Sequence, residues 1–458
     1  MKKIVAVMVL LLCVAGCVAC SGEKKAEKKK LSYTSEDYNR GNAHAFLPKP
    51  MMRTEEGHYY YSEKHDGFRF YDVATGNEMY LCNKPECKHD GNAFCVATND
   101  KYRILSCCLY SERIFAYVIV ETDTQYRFEV ISLSLDGAEM EEVATILELE
   151  KTGQLALEVG GEFWIHRNKV LLSMWSIGHT ELEDTHKFGT ALLDLDTGEV
   201  SYLDEEPLSA DNLKIQEVTA YGDWFYYCRK ENKRYILHRY NIVTGTDETY
   251  RLLPGFQCNY AVLDENTVVY LRMDIRNFFV HHYDTGESEE RKWAEWDAIY
   301  HYADGTTIVP GYDEDGNPAF HTVHTRIQDV VTDGTYLYAL SDGAGVKIHK
   351  DGKINNTEYE AYIRIFDSDL QEIGIVNVYD AIEQVKPEGV EWELAYYSLS
   401  LRFLEDAIYL ELCPKGDTSQ WYVYRCNKED FLNGTPEFSF VYRMDREQDG
   451  ETLIRIGR

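Results

Sequence analysis

Short runs of aromatic and aliphatic residues alternate with polar turns along most of the chain. One recurring unit is a turn followed by a large apolar run, as in Gly57-His-Tyr59-Tyr60-Tyr61 and Gly222-Asp-Trp224-Phe225-Tyr226. Runs of this composition favour pleated, half-buried strands. Five further copies of the unit begin at Ser111, Gly161, Asp264, Asp333 and Glu405.

A second unit, an apolar residue followed by Asp or Asn and a tight turn, lies further along each repeat. Asp and Asn side chains accept hydrogen bonds from the backbone two residues on, and Gly permits a positive φ, so these segments predict hairpin turns. The seven copies are the segments 71–76, 135–137, 195–198, 240–245, 283–286, 366–369 and 425–428.

The alternation of these two units predicts an all-β chain that folds as a β-propeller of four-stranded antiparallel blades. Seven copies of each unit indicate seven blades, with six or eight as the alternatives. The segment 293–328 is the weak point, since it is either an eighth blade or a long loop. We expect the ring to close by pairing Leu453–Ile456 with the first blade.

Composition supports a β fold and limits the partners. The 35 tyrosines outnumber the 18 phenylalanines, and we expect them to pack between adjacent blades. Asp and Glu total 78 against 47 Lys and Arg, a formal net charge of -31. A polyanion is repelled by phosphate backbones, so nucleic acid is not an expected partner.

The first residues have the pattern of an export signal. Lys2 and Lys3 precede the apolar run 4–14, which is too short to span a bilayer, and Ala15, Gly16 and Cys17 follow. The segment 14–17 resembles the lipobox of bacterial lipoproteins, which implies that Cys17 is acylated and anchors the mature chain in membrane lipid. The alternative is an ordinary secretory leader in which Cys17 has no such role.

This resemblance divides the chain into a signal peptide at 1–16, a lipidated N-terminus and flexible stalk at 17–45, and the propeller at 46–458. The stalk includes a stretch with five lysines, 21–30, which lacks the apolar residues needed to fold. We expect the protein to lie outside the cytoplasmic membrane of a bacterial cell, held in the envelope by its lipid.

The repeats also resemble those of bacterial lipoproteins with tyrosine-rich propellers and Tyr-Asp-x-x-Thr-Gly-like turns, relatives of the TolB-type and YncE-like propellers. The resemblance implies a propeller displayed at the cell surface. It does not imply an activity, because propellers host many unrelated functions.

Three cysteines and a histidine, Cys82, Cys87, His89 and Cys95, lie within fourteen residues. This set suits a tetrahedral Cys₃His metal site, and zinc or another soft metal is the expected ion. The segment 81–89 resembles a Leu-Cys-x-Lys-Pro-x-Cys-x-His stretch of the same lipoproteins. A disulfide among the three cysteines and unpaired thiols are the alternatives, since disulfides persist in exported proteins.

Other candidates are weaker. The histidines and carboxylates of 179–186 indicate a solvated acidic loop, and 313–317 lacks the glutamate that a calcium loop needs. His281 and His282 are expected in a strand without a ligating role. The remaining cysteines are expected to be small buried residues. They are Cys107, Cys108, Cys228, Cys258, Cys413 and Cys426.

The favoured function is a membrane-anchored cell-surface lipoprotein whose propeller binds a glycan, a peptide or a protein at one end of the central axis. The alternative is an extracellular hydrolase or lyase acting on glycan or peptide at the same place. No nucleophile-elbow, P-loop or dinucleotide motif is present in the sequence.

Overall fold

The computed structural model is an all-β ring of seven blades. It describes residues 38–39, 52–62, 67–91, 95–150, 158–177, 189–203, 215–231, 234–251, 260–271, 277–292, 300–301, 307–308, 311–312, 318–319, 324–348, 354–387, 399–404, 406–412, 420–446 and 452–455. Within them each blade has four consecutive antiparallel strands, which we call A, B, C and D in chain order. The predicted seven-bladed propeller is confirmed.

The first four blades are regular. A short strand, β1 (Tyr38–Asn39), precedes them. The strands of blade 1 are β2 (Met52–Arg53), β3 (Gly57–Ser62), β4 (Gly67–Asp72) and β5 (Glu78–Tyr80). Those of blade 2 are β6 (Tyr102–Tyr110), β7 (Arg113–Glu121), β8 (Gln125–Ser134) and β9 (Met140–Glu150). Those of blade 3 are β10 (Glu158–His166), β11 (Lys169–Ile177), β12 (Thr190–Asp194) and β13 (Val200–Tyr202). Those of blade 4 are β14 (Ile215–Tyr221), β15 (Trp224–Glu231), β16 (Arg234–Asn241) and β17 (Asp247–Arg251).

The last three blades carry the insertions. The strands of blade 5 are β18 (Tyr260–Asp264), β19 (Thr267–Leu271), β20 (Asn277–His282) and β21 (Glu287–Lys292). Two ribbons of short strands follow, β22 (Tyr300–His301) with β23 (Thr307–Ile308), and β24 (Gly311–Tyr312) with β25 (Pro318–Ala319). The strands of blade 6 are β26 (His324–Thr332), β27 (Leu337–Ile348), β28 (Ile354–Phe366) and β29 (Glu372–Asn377), followed by helix α1 (Val378–Ile382) and a 3₁₀ turn (Glu383–Val385). Blade 7 comprises β30 (Leu399–Phe403), β31 (Ala407–Leu412), β32 (Gln420–Asn427), helix α2 (Lys428–Leu432), β33 (Ser439–Arg446) and β34 (Thr452–Arg455).

The segment 293–328 is not a four-stranded blade in its described part. It contributes the two short ribbons, and from His324 onwards it belongs to the A strand of blade 6. The acidic turn 313–317 and the loop 179–186 lie outside the described residues, as do the export signal and the lysine-rich stretch. No helix in the described ranges is long and apolar enough to cross a bilayer.

The C–D turns explain the recurring Asp and Asn. In blade 1 the carboxylate of Asp72 accepts hydrogen bonds from the backbone N–H groups of Ala74 and Thr75, at 2.8 and 3.0 Å. Gly76 closes the turn at φ +70°, a conformation that favours glycine. Asp194 and Asn241 accept the equivalent bonds in blades 3 and 4. These hairpin turns are confirmed.

Two copies of the predicted units are placed differently by the structure. Gly161 lies inside strand A of blade 3, and the A–B turn of that blade is Arg167-Asn168, with φ of +47° and +59°. This turn has no glycine, whereas Gly161 gave the sequence a turn signal inside the strand. In blade 7, Asn427 does not form a hairpin turn, because its side chain caps α2 by accepting from the N–H groups of Glu429 and Asp430.

The core lies between the blades. The A strands of neighbouring blades lie side by side around the axis, and the D strands form the exposed outer rim. The side chains that fill the space between blades include several tyrosines with less than 2% exposure, as predicted. They are Tyr117, Tyr226, Tyr227, Tyr270, Tyr338, Tyr409, Tyr424 and Tyr442. Cys107 packs towards blade 1 and Cys108 towards blade 3, so the expected buried roles of these two cysteines are confirmed.

The ring does not close by strand exchange among the described residues. The C-terminal strand β34 pairs with β33 and becomes the outermost, fifth strand of blade 7, so the expected pairing of Leu453–Ile456 with blade 1 is wrong. Side chains close the ring instead. Tyr60 and Tyr71 of blade 1 pack with Tyr409, Trp421 and Tyr442 of blade 7. The apolar residues of 453–456 predict a strand, but they do not determine the sheet edge with which that strand pairs.

Candidate metal centre

The structure brings the four predicted ligands together at the outer rim of blade 1. Strand D of this blade, β5, ends after three residues, and the connection to blade 2 begins at Leu81. The ligand atoms of Cys82, Cys87, His89 and Cys95 all lie within 4.8 Å of one another. In the described part of the chain this is the one group of three or more His, Cys, Asp or Glu side chains close enough to hold a metal ion. We call these four residues the Cys/His loop.

The spacing of the side chains is close to that of a tetrahedral site. Nδ1 of His89 lies 3.5 Å from Sγ of Cys95. Zinc bound at about 2.3 Å to sulfur and about 2.0 Å to nitrogen would separate these two ligands by about 3.5 Å. The three cysteines are free thiols in the structure. Cys95 is buried, and the other three ligands are half-buried.

Hydrogen bonds favour the thiolate form of Cys95. Burial opposes ionisation of this thiol, but hydrogen bonds from Thr98 and His89, together with Cys87, lower the pKa of Cys95 to about 6. The backbone N–H of Thr98 donates to the sulfur at 3.4 Å. A thiolate is the form that binds metal ions. The cluster is therefore set up to receive a cation.

The pKa of Cys87 is shifted in the opposite direction. The backbone N–H of His89 favours its thiolate, but burial and the neighbouring thiols Cys95 and Cys82 outweigh this and raise the pKa of Cys87. A second negative sulfur beside the first is unfavourable without a positive charge between them. A divalent ion would supply that charge.

The backbone of the loop is held from two sides. Phe68 N–H, in strand C of blade 1, donates to the carbonyl of Ala97 at 2.9 Å. On the other side, the C–D turn of blade 2 lies against Leu81 and Cys82. A Cβ on Gly137 would come within 2.5 Å of the Leu81 carbonyl, so only glycine fits there. These contacts fix the position of Cys82.

The histidine is oriented by stacking. The ring of His89 lies on that of Tyr80, with centroids 4.4 Å apart and planes at 24°. Cζ of Arg69 lies 4.1 Å from the centroid of the same tyrosine. His89 also adopts φ +52°, which is uncommon for a residue other than glycine and is typical of functional sites. Sequence reasoning found the four ligands but not Thr98, Tyr80 or Arg69, whose roles depend on cross-strand contacts.

A second concentration of ionisable groups closes the ring between blades 1 and 7. Arg53 forms an ion pair with Glu411, and its Nη2 lies 3.5 Å from the hydroxyl of Tyr442. Burial alone would lower the pKa of Arg53, but Glu411 and Tyr442 raise it above its usual value. His58 packs against Tyr409 and Tyr442 and is fully buried. We call these five residues the seam.

His58 is held neutral. Burial and then the nearby Arg53 and Arg425 lower the pKa of His58 to about 2. Neither ring nitrogen has a hydrogen-bond partner among the described residues. Because the side chain has no exposed surface, it cannot reach a substrate. The seam is therefore a structural feature of the ring.

The predicted strand position of His281 is confirmed. His281 is buried, stacks on Tyr250 at a centroid distance of 3.6 Å, and its Nδ1 lies 2.9 Å from Oγ of Ser288. Burial is the main cause that lowers the pKa of His281 to about 4. This histidine packs between blades 4 and 5.

Comparison with known proteins adds little beyond the architecture. No protein-family model and no curated protein matches the chain. Among solved structures, the β-propeller domain of the Trilobed protease from Pyrococcus furiosus, with an open velcro topology, is 9% identical with a TM-score of 0.41. That match covers 78% of this chain and 95% of the other.

Two further structures give similar values. KlHsv2, with loop 6CD replaced by a Gly-Ser linker, is 8% identical with a TM-score of 0.42, over 87% of this chain and 98% of the other. The protein lmo1340 from Listeria monocytogenes is 9% identical with a TM-score of 0.40, over 75% and 83%. Likeness at this level carries no argument about function.

Proposed function

We propose that this chain is a non-catalytic binding propeller, anchored outside the cytoplasmic membrane through acylated Cys17 and stabilised by a structural zinc ion in the Cys/His loop. The observation that carries the metal assignment is the approach of all four ligand atoms to within 4.8 Å of one another. Three sulfurs and one imidazole are ligands that zinc prefers.

The role of the metal is structural. Four protein ligands fill a tetrahedral coordination sphere and leave no open position for a substrate. The site also lies at the rim, where strand D of blade 1 stops, and not at the axis where the A strands meet. The ion would replace the missing part of that outer strand as the link between blades 1 and 2.

The binding role is supported by the fold and the charge. Loops of all blades converge at the two ends of a propeller axis, which provides a surface for a glycan, a peptide or a protein. The net charge of -31 disfavours nucleic acid as the ligand. Turnover of a glycan or peptide in a substrate panel would contradict the non-catalytic assignment.

Metal analysis of the purified mature chain tests the zinc assignment. We expect one zinc per chain in the wild type and in Lys88→Ala, and loss of zinc in His89→Ala. Lys88 is the matched control because it lies between two ligands but is itself exposed. Blocked thiols without bound metal would contradict the assignment and support the disulfide.

Membrane fractionation tests the anchor separately. Cys17→Ser should move the protein from the membrane to the soluble fraction, whereas Cys20→Ser should leave it in the membrane. Retention of Cys17→Ser in the membrane would contradict lipid anchoring at this residue and would leave the zinc assignment unaffected.

A further inference from the structure

Blade 4 has a strand that the other blades lack. β1 pairs antiparallel with β14, so that Tyr38 lies opposite Tyr221 and Asn39 opposite Ala220. β14 is strand A of its blade, and β1 therefore lies on its inner side. In the described parts of the other six blades, strand A is the innermost member of the sheet.

An inner strand edge is a template for an extended peptide. The A strands line the axis, and an edge strand presents backbone N–H and C=O groups that a further strand can pair with. β1 uses that edge at the end of β14, next to the A–B turn Gly222-Asp223. Because the segment belongs to the same chain, its high effective concentration compensates for the shortness of the pairing.

The pairing also sets where the N-terminal part of the chain meets the ring. Met52, the first residue of blade 1, lies three blades away from blade 4, on the other side of a seven-membered ring. Asn39 and Met52 therefore lie on opposite sides of the ring. Tyr38 lies at the end of the axis that carries the A–B turns, because it faces the last residue of β14.

The charges at this end of the axis are consistent with an N-terminal segment that reaches blade 4 from the same end. The A–B turns at that end carry exposed carboxylates. They are Glu55, Glu56, Glu112, Glu265 and Asp406. The five lysines of the stretch 21–30 precede Tyr38 in the sequence. Opposite charges favour an approach of this stretch to the same end of the ring.

We propose that the inner edge of blade 4 is a peptide-binding edge whose occupant is the chain's own segment Tyr38–Asn39. The segment adds a strand beside the axis at the end that carries the A–B turns. A ligand that pairs with the inner strand edges at this end of the axis then meets blade 4 with its edge already paired.

Photocrosslinking tests the position of the segment. The mature chain carries p-benzoylphenylalanine in place of Tyr38, and the crosslinked peptides are identified by mass spectrometry. We expect the main product to join residue 38 to the segment 215–224 of the same molecule. Products that lie mainly in other blades, or that join two copies of the chain, would overturn the proposal.

Hydrogen exchange tests the pairing itself. Of two consecutive residues in an antiparallel strand, one belongs to the hydrogen-bonded pair, so either Ala220 or Tyr221 directs its N–H towards β1. Asn39→Pro should raise the exchange rate of that amide on the order of tenfold. Asn42→Pro, the same change outside the described strand, should leave it unchanged. Equal rates in the wild type and both variants would overturn the proposal, whether or not Cys17 is acylated.

Discussion

Blade 1 contains two clusters of ionisable side chains that satisfy their charges in different ways. At the seam, Arg53 and Glu411 are both buried and neutralise each other, and His58 is kept uncharged by burial. At the Cys/His loop, three of the four side chains are half-buried, and hydrogen bonds outweigh burial and lower the pKa of Cys95. The charges of the seam balance within the protein, whereas those of the Cys/His loop would be balanced by the proposed metal ion.

The seam and the Cys/His loop represent two ways of stabilising the contact between neighbouring blades of the ring. Pairing of β34 with its own blade leaves the junction of blades 1 and 7 to side chains alone. The connection of blades 1 and 2 has a short outer strand, and the proposed zinc ion compensates for it. The stability contributed by the junction of blades 1 and 7 should therefore change with mutation and pH. The stability contributed by the connection of blades 1 and 2 should change when a chelator is added.

The largest effect is expected from breaking the ion pair of the seam. Glu411→Gln removes the negative charge but leaves Arg53 buried, which should lower the free energy of unfolding by up to about 5 kcal/mol. Denaturant unfolding at pH 7.5 measures this change. The matched control is Glu289→Gln, which breaks the exposed pair with Arg291 and should cost less than about 1 kcal/mol. Equal effects of the two variants would mean that the seam contributes no more than a surface contact.

Removal of the metal should have the next largest effect. An ion that binds only the folded state stabilises it by about 3 kcal/mol when its free concentration is a hundredfold above Kd. A chelator should therefore lower the midpoint of thermal unfolding of the wild type. His89→Ala should already have the lower midpoint and should not respond to the chelator. A wild-type midpoint that is insensitive to chelator would remove the contrast between the loop and the seam.

Acid should destabilise the seam through His58. Its pKa is about 2 in the folded chain, below the usual value of 6.5, so the unfolded chain binds the extra proton as the pH falls below 6.5. The contribution of His58 to the free energy of unfolding is fully present above pH 6.5. At pH 5 it should be about 2 kcal/mol lower. His58→Phe keeps a ring of similar size and should remove this part of the pH dependence.

The wild type and His58→Phe share the other titrating groups, including His281, which acts in the same direction. The difference between their unfolding free energies at pH 7.5 and pH 5 therefore isolates His58. Parallel pH profiles of the two proteins would show that His58 is not held neutral by the seam.

The smallest effect concerns the coupling of the two clusters. Glu411 forms ion pairs with Arg53 and Arg402, whereas His89 contacts Tyr80 and Cys95. The combined variant Glu411→Gln with His89→Ala should lose the sum of the two single losses, to within about 0.5 kcal/mol. A double-mutant cycle measures the coupling. A larger coupling energy would show that the Cys/His loop and the seam form one structural unit.

The fold was predictable where the signal is local. The Asp72 turn with Gly76 carries its mechanism in five consecutive residues, and such turns recur around the ring. The A–B turn of blade 3 was missed because Gly161, which lies inside strand A, gave a stronger turn signal than Arg167 and Asn168. The seam had no local signal, since Arg53 and Glu411 are 358 residues apart.

The residues of the candidate site also differ in whether the sequence alone could predict their role. The four ligands were predictable because they lie within fourteen residues of one another in the sequence. Gly137 was not, because it acts on the Cys82 backbone from the next blade. The strand β1 was not predicted either, since two residues carry no periodicity and their partner β14 lies far along the chain.

X-ray absorption at the zinc edge, on mature protein purified without added metal, tests the central claim most directly. The account predicts one zinc per chain, with three sulfur ligands at about 2.3 Å and one nitrogen ligand at about 2.0 Å. Lys88→Ala should give the same spectrum. The absence of zinc, together with oxidised Cys82, Cys87 or Cys95 in the folded protein, would contradict it.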